Sequence, residues 1–162
     1  MAIVFFDPRK ENGLLSTWSP HEIVFHDITF LTAEHFIAYE KARLLDLPNV
    51  MEQIIKAKTP HVANKIYKDI GRHPTDKRKW ERYSQGVVLQ ALRLKVDQHM
   101  DVFHFLRKLP KHIRIGYASK HDKVWGIHMD ISDPYVRMPR KWNGMNLLGE
   151  AWMQVKSEIL EK

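Results

Sequence analysis

The chain contains no cysteine among its 162 residues. This absence excludes disulfides, thiolate nucleophiles and thiolate metal sites, and it is consistent with a reducing compartment. No apolar run approaches the roughly 20 residues that a membrane-spanning helix needs. The N-terminal apolar run from Ala2 to Phe6 ends at Asp7-Pro8, which is not a signal-peptide pattern. We therefore expect a cytoplasmic protein without a membrane partner.

The glycine-rich signatures of nucleotide sites are also missing. Neither Gly-x-Gly-x-x-Gly nor Gly-x-x-x-x-Gly-Lys-Ser/Thr occurs, and Gly-x-Ser-x-Gly is absent. The ten histidines form no His-x-x-x-His pair. Three loop aspartates, Asp122, Asp130 and Asp133, are candidate ligands for a divalent ion, but aspartate in loops usually forms turns. We expect no metal and no cofactor.

Positive charge is what the sequence has in excess, with a formal net charge of +7. Such a surplus favours an anionic partner, either a phosphorylated metabolite or a nucleic acid, and does not distinguish between the two. The hydrophobic fraction of 44% and the charged fraction of 28% are typical of a soluble globular protein. We expect one domain over residues 1–162, with no internal repeat or domain linker; the sequence does not predict the oligomeric state.

The order of apolar patterns predicts an α+β fold that is mostly helical and has a small sheet. Strand patterns cover residues 3–6 and 113–118, and a hairpin covers residues 23–31. Helical patterns run from Thr32 to Pro48 and over residues 49–58, 60–70, 76–99, 102–109 and 145–161, with residues 73–76 as a linker. A long irregular stretch over residues 129–142 is of a kind that is often functional.

The helix that begins near Thr32 carries the most informative pattern. Thr32 is a plausible N-cap, and Glu34 lies in the first turn, where the helix dipole favours its ionised form. Glu34 and Lys41 are seven residues apart, which places them on one face about 10 Å apart along the axis. Ile37 and Ala38 lie between them on that face. The stripe is either one wall of a pocket or a pair of solvated surface residues that flanks a core stripe.

Two further segments combine aromatic and charged residues. In the segment 77–82, cations surround Trp80, which either packs on the core or stacks on a flat base while Arg72 or Arg78 meets a phosphate. Asp122 and Trp125-Gly126 follow a strand, where functional loops are common. Gly126 permits close approach of a ligand to the backbone, whereas Asp122 has the simpler alternative of capping a turn.

Short motifs in a fixed order resemble the NADAR superfamily, whose bacterial members include YbiA-like N-glycosidases. The resemblance covers about residues 13–160, so it extends over nearly the whole chain. The matching elements are Leu15-Ser16-x-Trp18-Ser19-Pro20, Ala33-Glu34-His35 with Lys41, Ile70-Gly71-Arg72, Trp80-Glu81, Ala91-Leu92-Arg93-x-Lys95, Ser119-x-x-Asp122-x-x-Trp125-Gly126 and Asn146-x-Leu148-Gly149.

This resemblance implies hydrolysis of the N-glycosidic bond between an amino-bearing base and a ribose that is phosphorylated or part of ADP-ribose. The implied substrates are ADP-ribosylated guanine, free or in DNA, and ribosylamino-pyrimidine intermediates of riboflavin synthesis. The positive charge favours the ADP-ribosyl substrate. The implied catalytic residues are Glu34, Lys41 and Asp122. The candidate substrate-binding residues are Trp18, His35, Arg72, Trp80, Trp125, Gly126 and Asn146.

Two mechanisms are open on this set of residues. In the first, Glu34 and Asp122 act as a carboxylate pair, one of them stabilising the cation at the anomeric carbon or activating water and the other protonating the leaving nitrogen. In the second, a neutral Lys41 displaces the base from the ring-opened sugar and holds the sugar as a Schiff base. A different class of function, a non-catalytic module that binds ADP-ribose or nucleic acid, remains the alternative.

The sequence departs from the family pattern at two places. Thr17-Trp18 follows Leu15-Ser16 where the family usually has Asn-Phe. The segment 127–130 follows Trp125-Gly126 in place of a Gly-rich run. We expect both segments to line the mouth of the pocket, so they bear on the choice of substrate and leave the reaction class unchanged.

Overall fold

The computed structural model describes residues 1–71 and 73–161 and shows an α+β fold. The chain forms two compact units. The first comprises Met1–Ser19 together with the chain from His99 onward, and the second comprises Pro20–Gln98. No helix of the described residues is long and apolar enough to cross a bilayer.

The first unit contains a parallel two-stranded sheet. Strand β1 (Ala2–Phe5) pairs with β4 (Arg114–Tyr117), so that Phe5 lies opposite Tyr117. Helices α5 (Met100–Lys108) and α6 (Leu147–Glu161) belong to this unit, as do short 3-10 helices at Gly13–Leu15 and Pro139–Lys141. Trp152 of α6 is fully buried and donates its indole N–H to the Leu15 carbonyl. A small core of Val4, Ala118, Ile127 and Val136 forms beside the sheet.

The second unit begins with an antiparallel hairpin of β2 (Ile23–Phe25) and β3 (Ile28–Phe30). Its two turn residues, His26 and Asp27, have φ values of 49° and 64°, the pair of positive angles that a type I′ turn requires. Helices α1 (Ala33–Leu44), α2 (Pro48–Lys56), α3 (Pro60–Asp69) and α4 (Pro74–Gln98) follow. The α1–α3 core contains Ala38, Ala42, Ile54 and Ile70.

Most helix boundaries agree with the sequence patterns, and the predicted caps are confirmed. The Thr32 hydroxyl accepts the His35 N–H at 3.3 Å, and the Thr59 hydroxyl accepts the Val62 N–H at 3.2 Å. Gly71 follows α3 with φ of 72°, the left-handed angle expected of a residue just beyond a helix.

Two helix boundaries and the sheet differ most clearly from the prediction. Helix α1 ends at Leu44 rather than at Pro48, because Asp46 adopts a left-handed φ of 55°. The predicted linker 73–76 is wrong, since α4 begins at Pro74. Proline is suited to a first helical position, and the Lys77 N–H already bonds to the His73 carbonyl at 3.0 Å. The single small sheet is two separate two-stranded sheets.

Candidate functional site

Helix α1 is buried over most of its circumference, and this fixes the environment of its charged residues. Glu34 and Lys41 are only 8% and 7% exposed, so the alternative of a solvated surface pair is wrong. Unpaired charges are seldom buried to this degree, because desolvation disfavours them. Both residues belong to the second unit, and each is held by a residue of α3.

The ammonium group of Lys41 lies in a partly aromatic environment. It donates a hydrogen bond of 2.9 Å to the Tyr67 carbonyl. The Nζ atom lies 4.0 Å from the centroid of the Tyr67 ring and 5.9 Å from that of the Trp80 ring. Burial lowers the pKa of Lys41 from 10.5 to about 8, because desolvation disfavours the charged amine. About one Lys41 side chain in ten is then neutral at pH 7, a usable fraction of nucleophile.

Tyr67 organises this end of the site. Its hydroxyl accepts the Trp80 indole N–H at 2.8 Å, and the two rings meet edge to face at an interplanar angle of 77°. Trp80 is 7% exposed and packs inside the second unit beside Lys41. This agrees with the first of its two predicted alternatives, packing on the core. The contacts of Tyr67 with both Lys41 and Trp80 therefore fix the amine against two aromatic rings.

Glu34 is held by the same helix that supplies Tyr67. The Asn64 side-chain amide donates to Glu34 Oε1 at 2.9 Å. Asn64 and Tyr67 are three residues apart on α3, so they lie on one face of that helix. Sequence reasoning missed both residues. Their three-residue spacing predicts that they share one face of α3, but no signal in the sequence shows that this face meets Glu34 and Lys41.

His35 has a structural function in the second unit, and its predicted contact with substrate stays a prediction. The ring is 1% exposed, and both of its nitrogens bond within the protein, Nδ1 with the Thr32 hydroxyl at 2.8 Å and Nε2 with the Ala57 carbonyl at 2.9 Å. Burial lowers the pKa of His35, against the opposing effect of the bond to Ala57. His35 thus anchors the start of α1 and positions its neighbour Glu34.

Gly71 packs close to the side chain of Lys41. A Cβ atom on Gly71 would lie 3.7 Å from Lys41 Cε and 3.3 Å from Leu45 Cδ1, at a φ that favours glycine. The predicted phosphate ligand Arg72 follows Gly71 and lies outside the described residues.

The loop after β4 contains the predicted residues of the first unit. Asp122 Oδ1 accepts the backbone N–H groups of Val124 at 3.0 Å and Trp125 at 2.8 Å, the turn-capping alternative that the sequence offered. Trp125 and Trp18 are both half-buried. A Cβ on Gly126 would lie 2.9 Å from the Asp122 and Tyr117 carbonyl oxygens, so the close approach that Gly126 permits here is that of the protein backbone. The pairing of Asp122 with Glu34 stays a prediction.

Asn146 bonds to the backbone of β4. Its Oδ1 accepts the Tyr117 N–H at 3.0 Å, and its Nδ2 donates to the Ile115 carbonyl at 2.9 Å, so the side-chain amide takes the place of a strand. The residue is 3% exposed and has a φ of 55°, which asparagine tolerates better than most residues. These bonds assign Asn146 a structural function, and its predicted contact with substrate stays a prediction.

We expect Asn146→Ala to lower the free energy of unfolding by at least about 2 kcal/mol, since two backbone groups lose their partners in a buried place. Urea denaturation of both proteins measures the difference. Asn146→Asp is the matched variant. It keeps the acceptor for the Tyr117 N–H but places a buried carboxylate oxygen against the Ile115 carbonyl, and because this repulsion adds to the lost bond, its loss is expected to be at least as large. A change below about 0.5 kcal/mol in the alanine variant would contradict the structural assignment.

With this geometry in place, comparison with known families decides the relationship. The family model of the NADAR domain matches residues 4–160. The chain belongs to the NADAR family.

Several relatives of this NADAR chain match at modest identity. Protein irg-1 of Caenorhabditis elegans is 29% identical over 132 residues, which cover 82% of this chain and 62% of that protein. The riboflavin biosynthesis protein PYRR, chloroplastic, of Zea mays is 28% identical over 98% of this chain and 25% of that protein. N-glycosidase Npun_R5314 of Nostoc punctiforme is 26% identical over 98% of this chain and 93% of that protein. The chain thus spans less than two thirds of the length of irg-1 and of PYRR.

A solved structure supports the same fold. The NMR structure of the Escherichia coli protein YbiA matches with a TM-score of 0.77 at 22% identity, covering 99% of this chain and 85% of that one. The fold implied by the NADAR resemblance is therefore confirmed.

Proposed function

We propose that this NADAR protein is an N-glycosidase that hydrolyses the bond between a ribose and an amino-bearing base. The observation that carries the proposal is the buried amine of Lys41, held against Tyr67 and Trp80 with its pKa lowered to about 8. A lysine that is partly neutral at pH 7 is the nucleophile that an imine mechanism needs. The name of the Nostoc punctiforme relative, an N-glycosidase, supports the same reaction class.

The covalent route uses Lys41 on the ring-opened substrate. The Lys41 amine adds to C1 of the open-chain sugar, which is an imine of the base. The bond from C1 to the base nitrogen then breaks, and the base leaves as a neutral amine after it has received a proton. Water adds to the lysine imine and releases the sugar aldehyde and the free amine. The sum is addition of one water across the N-glycosidic bond.

Glu34 is the group we assign to the proton transfers of this route. The Asn64 amide donates to one carboxylate oxygen and so orients the carboxyl group. Glu34 lies two helical turns from Lys41 on the same stripe of α1. A carboxyl group positioned by a neighbouring amide is the usual form of a general acid or base. Asp122 is the second candidate carboxylate, as the sequence predicts.

The substrate we propose is ADP-ribose on guanine, either as the nucleoside or within DNA. The net charge of +7 supports it, since ADP-ribose carries two phosphates and DNA many more. Trp18, Trp125 and Arg72, the last of these outside the described residues, remain candidate contacts to the base, the sugar and the phosphate.

A second substrate has its own supporting observation. One relative carries the name of a riboflavin biosynthesis protein, which favours a ribosylamino-pyrimidine phosphate as the alternative. The deciding experiment incubates the protein with ADP-ribosylated guanosine and, separately, with the ribosylamino-pyrimidine phosphate, and follows release of each base by chromatography. We expect at least tenfold faster release from the ADP-ribosylated nucleoside. Release from neither substrate, with measurable binding of ADP-ribose, would favour the non-catalytic binding module.

A further inference from the structure

Helix α4 presents one long face outside the core of the second unit. Six residues recur at intervals of three or four along it, so they lie on one side of the helix. All are exposed apart from Gln90, which is half-buried. The opposite side carries the buried residues of α4, among them Trp80, Val88 and Leu92. We call the exposed set the α4 stripe; it consists of Lys79, Arg82, Tyr83, Gly86, Gln90 and Arg93.

The α4 stripe is basic along its whole length. It contains three cations, and Glu81 is the only acidic residue between positions 79 and 93 of the sequence. At 100° per residue, Glu81 lies about 160° around the helix from Tyr83, on the far side. Asp76 and Asp97 lie on the same face just beyond the two ends of the stripe, so its middle, around Arg82 and Tyr83, is the part where an anionic partner meets cations without a neighbouring carboxylate from this helix.

An exposed aromatic ring lies in the middle of these cations. Tyr83 is 43% exposed, and the Arg82 guanidinium carbon lies 5.6 Å from the centroid of its ring. A guanidinium beside an accessible ring is the combination that stacks on a base and contacts the adjoining phosphate. An acidic protein surface would also be attracted by the cations, but it offers no planar base that stacks on the Tyr83 ring.

Gly86 lies one turn beyond Tyr83, and the fold gives no reason for a glycine there. Glycine in the interior of a helix costs about 1 kcal/mol relative to alanine. Apart from the neighbouring residues and the backbone of the helix itself, no described atom lies within 4 Å of the position that a Cβ would occupy, so packing does not require its absence. What the glycine does provide is a bare stretch of helix surface beside the Tyr83 ring, where a bulky ligand is able to approach the backbone.

We propose that the α4 stripe is a docking surface for single-stranded nucleic acid. Lys79 and Arg82 contact phosphates, Tyr83 stacks on an unpaired base, and Gly86 admits the sugar-phosphate chain against the helix. Trp80, beside Lys41, is three residues from Tyr83 on the same helix. The inference deepens the proposed function and rests on it in one respect: the base to be released is part of a nucleic-acid strand.

Fluorescence anisotropy with a labelled 12-nucleotide single-stranded DNA tests the surface directly. The same sequence as RNA and as duplex DNA is measured alongside, each between 50 and 300 mM salt. The double variant K79E/R82E is expected to bind at least tenfold more weakly and to reduce the salt slope by about 1.4, that is, about 0.7 for each lost phosphate contact. The control variant R107E/K108E changes two exposed cations of α5 and has the same net charge. Its affinity is expected to change less than threefold.

Two single variants separate stacking from charge. Tyr83→Ala is expected to weaken binding by about five- to a hundredfold with an unchanged salt slope, the loss of one stacked base. Gly86→Ala is expected to raise the thermal unfolding midpoint, because alanine favours the helix, while it weakens binding at least threefold. A purely structural role for Gly86 would move only the unfolding midpoint.

Several outcomes would overturn the docking surface. These are an equal loss in K79E/R82E and R107E/K108E, full affinity in Tyr83→Ala, tighter binding of the duplex than of the single strand, or competition by polyglutamate as effective as that by the unlabelled strand. Equal binding of DNA and RNA would support it as a general single-strand surface.

Hydrolysis of free ADP-ribosylated guanosine distinguishes this inference from the proposed function. The stripe variants are expected to keep the wild-type rate on the nucleoside and to lose rate on a modified strand. Strand binding without hydrolysis of either substrate would refute the N-glycosidase and leave the surface standing. Hydrolysis of both substrates that is unaffected by K79E/R82E would refute the surface and leave the enzyme standing.

Discussion

Replacing Lys41 by methionine is expected to lower the rate of base release at least about a thousandfold, the scale of loss when a covalent nucleophile is removed. Methionine keeps the unbranched shape of the lysine chain and lacks the amine that is held against Tyr67. Borohydride added during turnover traps a sugar–protein adduct in the wild type, and mass spectrometry of the intact protein is expected to find none in the variant. The exposed Lys65 on α3, changed to methionine, is the matched control.

Stability and activity move in opposite directions in this variant, so loss of folding cannot imitate the result. The pKa of Lys41 is about 8 in the folded protein and 10.5 for the ordinary side chain. Between those pH values the unfolded chain binds more protons, so wild-type stability rises with pH, and below pH 8 the buried charge is a full penalty. Methionine removes that penalty. The variant is expected to unfold at an equal or higher temperature at pH 7.

The same pKa fixes the form of the pH–rate profile. If the neutral amine attacks, kcat/KM rises about tenfold for each pH unit below 8 and levels off above it. Lys41→Arg keeps a positive charge but forms no imine, and it is expected to be as inactive as methionine. A profile that is flat between pH 6 and 8, or a trapped adduct that survives in Lys41→Met, would exclude the covalent route through this residue.

Changing Glu34 to glutamine is the second large effect we expect, a fall in kcat of about a hundred- to ten-thousandfold. Glutamine has the shape of glutamate and still offers an oxygen to the Asn64 amide, so the fold should be retained. It cannot give or take the proton that the leaving base and the attacking water require. Steady-state kinetics on ADP-ribosylated guanosine measure the loss, and KM is expected to change little.

Glu40 on the same helix provides the matched control. It is 5% exposed and pairs with the Arg43 guanidinium at 2.7 Å, which makes it a buried acid with a structural partner. Glu40→Gln is expected to lower the unfolding midpoint and leave kcat within about threefold of wild type. Full activity in Glu34→Gln, or an equal loss in both variants, would remove Glu34 from the chemistry.

Whether a feature of the fold can be predicted depends on how far apart in the sequence its interacting residues lie. Local signals were sufficient for the caps of α1 and α3, because Thr32 and Thr59 bond to backbone groups three residues away. The partner of β1 was not predictable, since its pairing with β4 spans more than a hundred residues and has no turn to signal it. Local charge and turn chemistry also cannot show that Asp46, rather than Pro48, ends α1.

The candidate site shows the same division. The Glu34 and Lys41 stripe follows from spacing within one helix, whereas burial decides whether it is a solvated pair, and burial depends on α3. Asn64 and Tyr67 lie 30 and 26 residues from their partners Glu34 and Lys41, so only tertiary structure reveals them. His35 and Asn146 stand in motifs beside candidate site residues, yet their side chains bond within the protein, to the Thr32 hydroxyl and to backbone groups, a distinction that a motif cannot make.

The burial of α1 on nearly all sides has a consequence for how this protein can vary. A helix at the surface alternates between positions that accept substitution and positions that do not, with the period of the helix. In α1 nine of the twelve residues are buried. A saturation library over this helix should therefore show an almost unbroken block of intolerance, and new substrate preferences should arise by changes in loops, where replacement costs least.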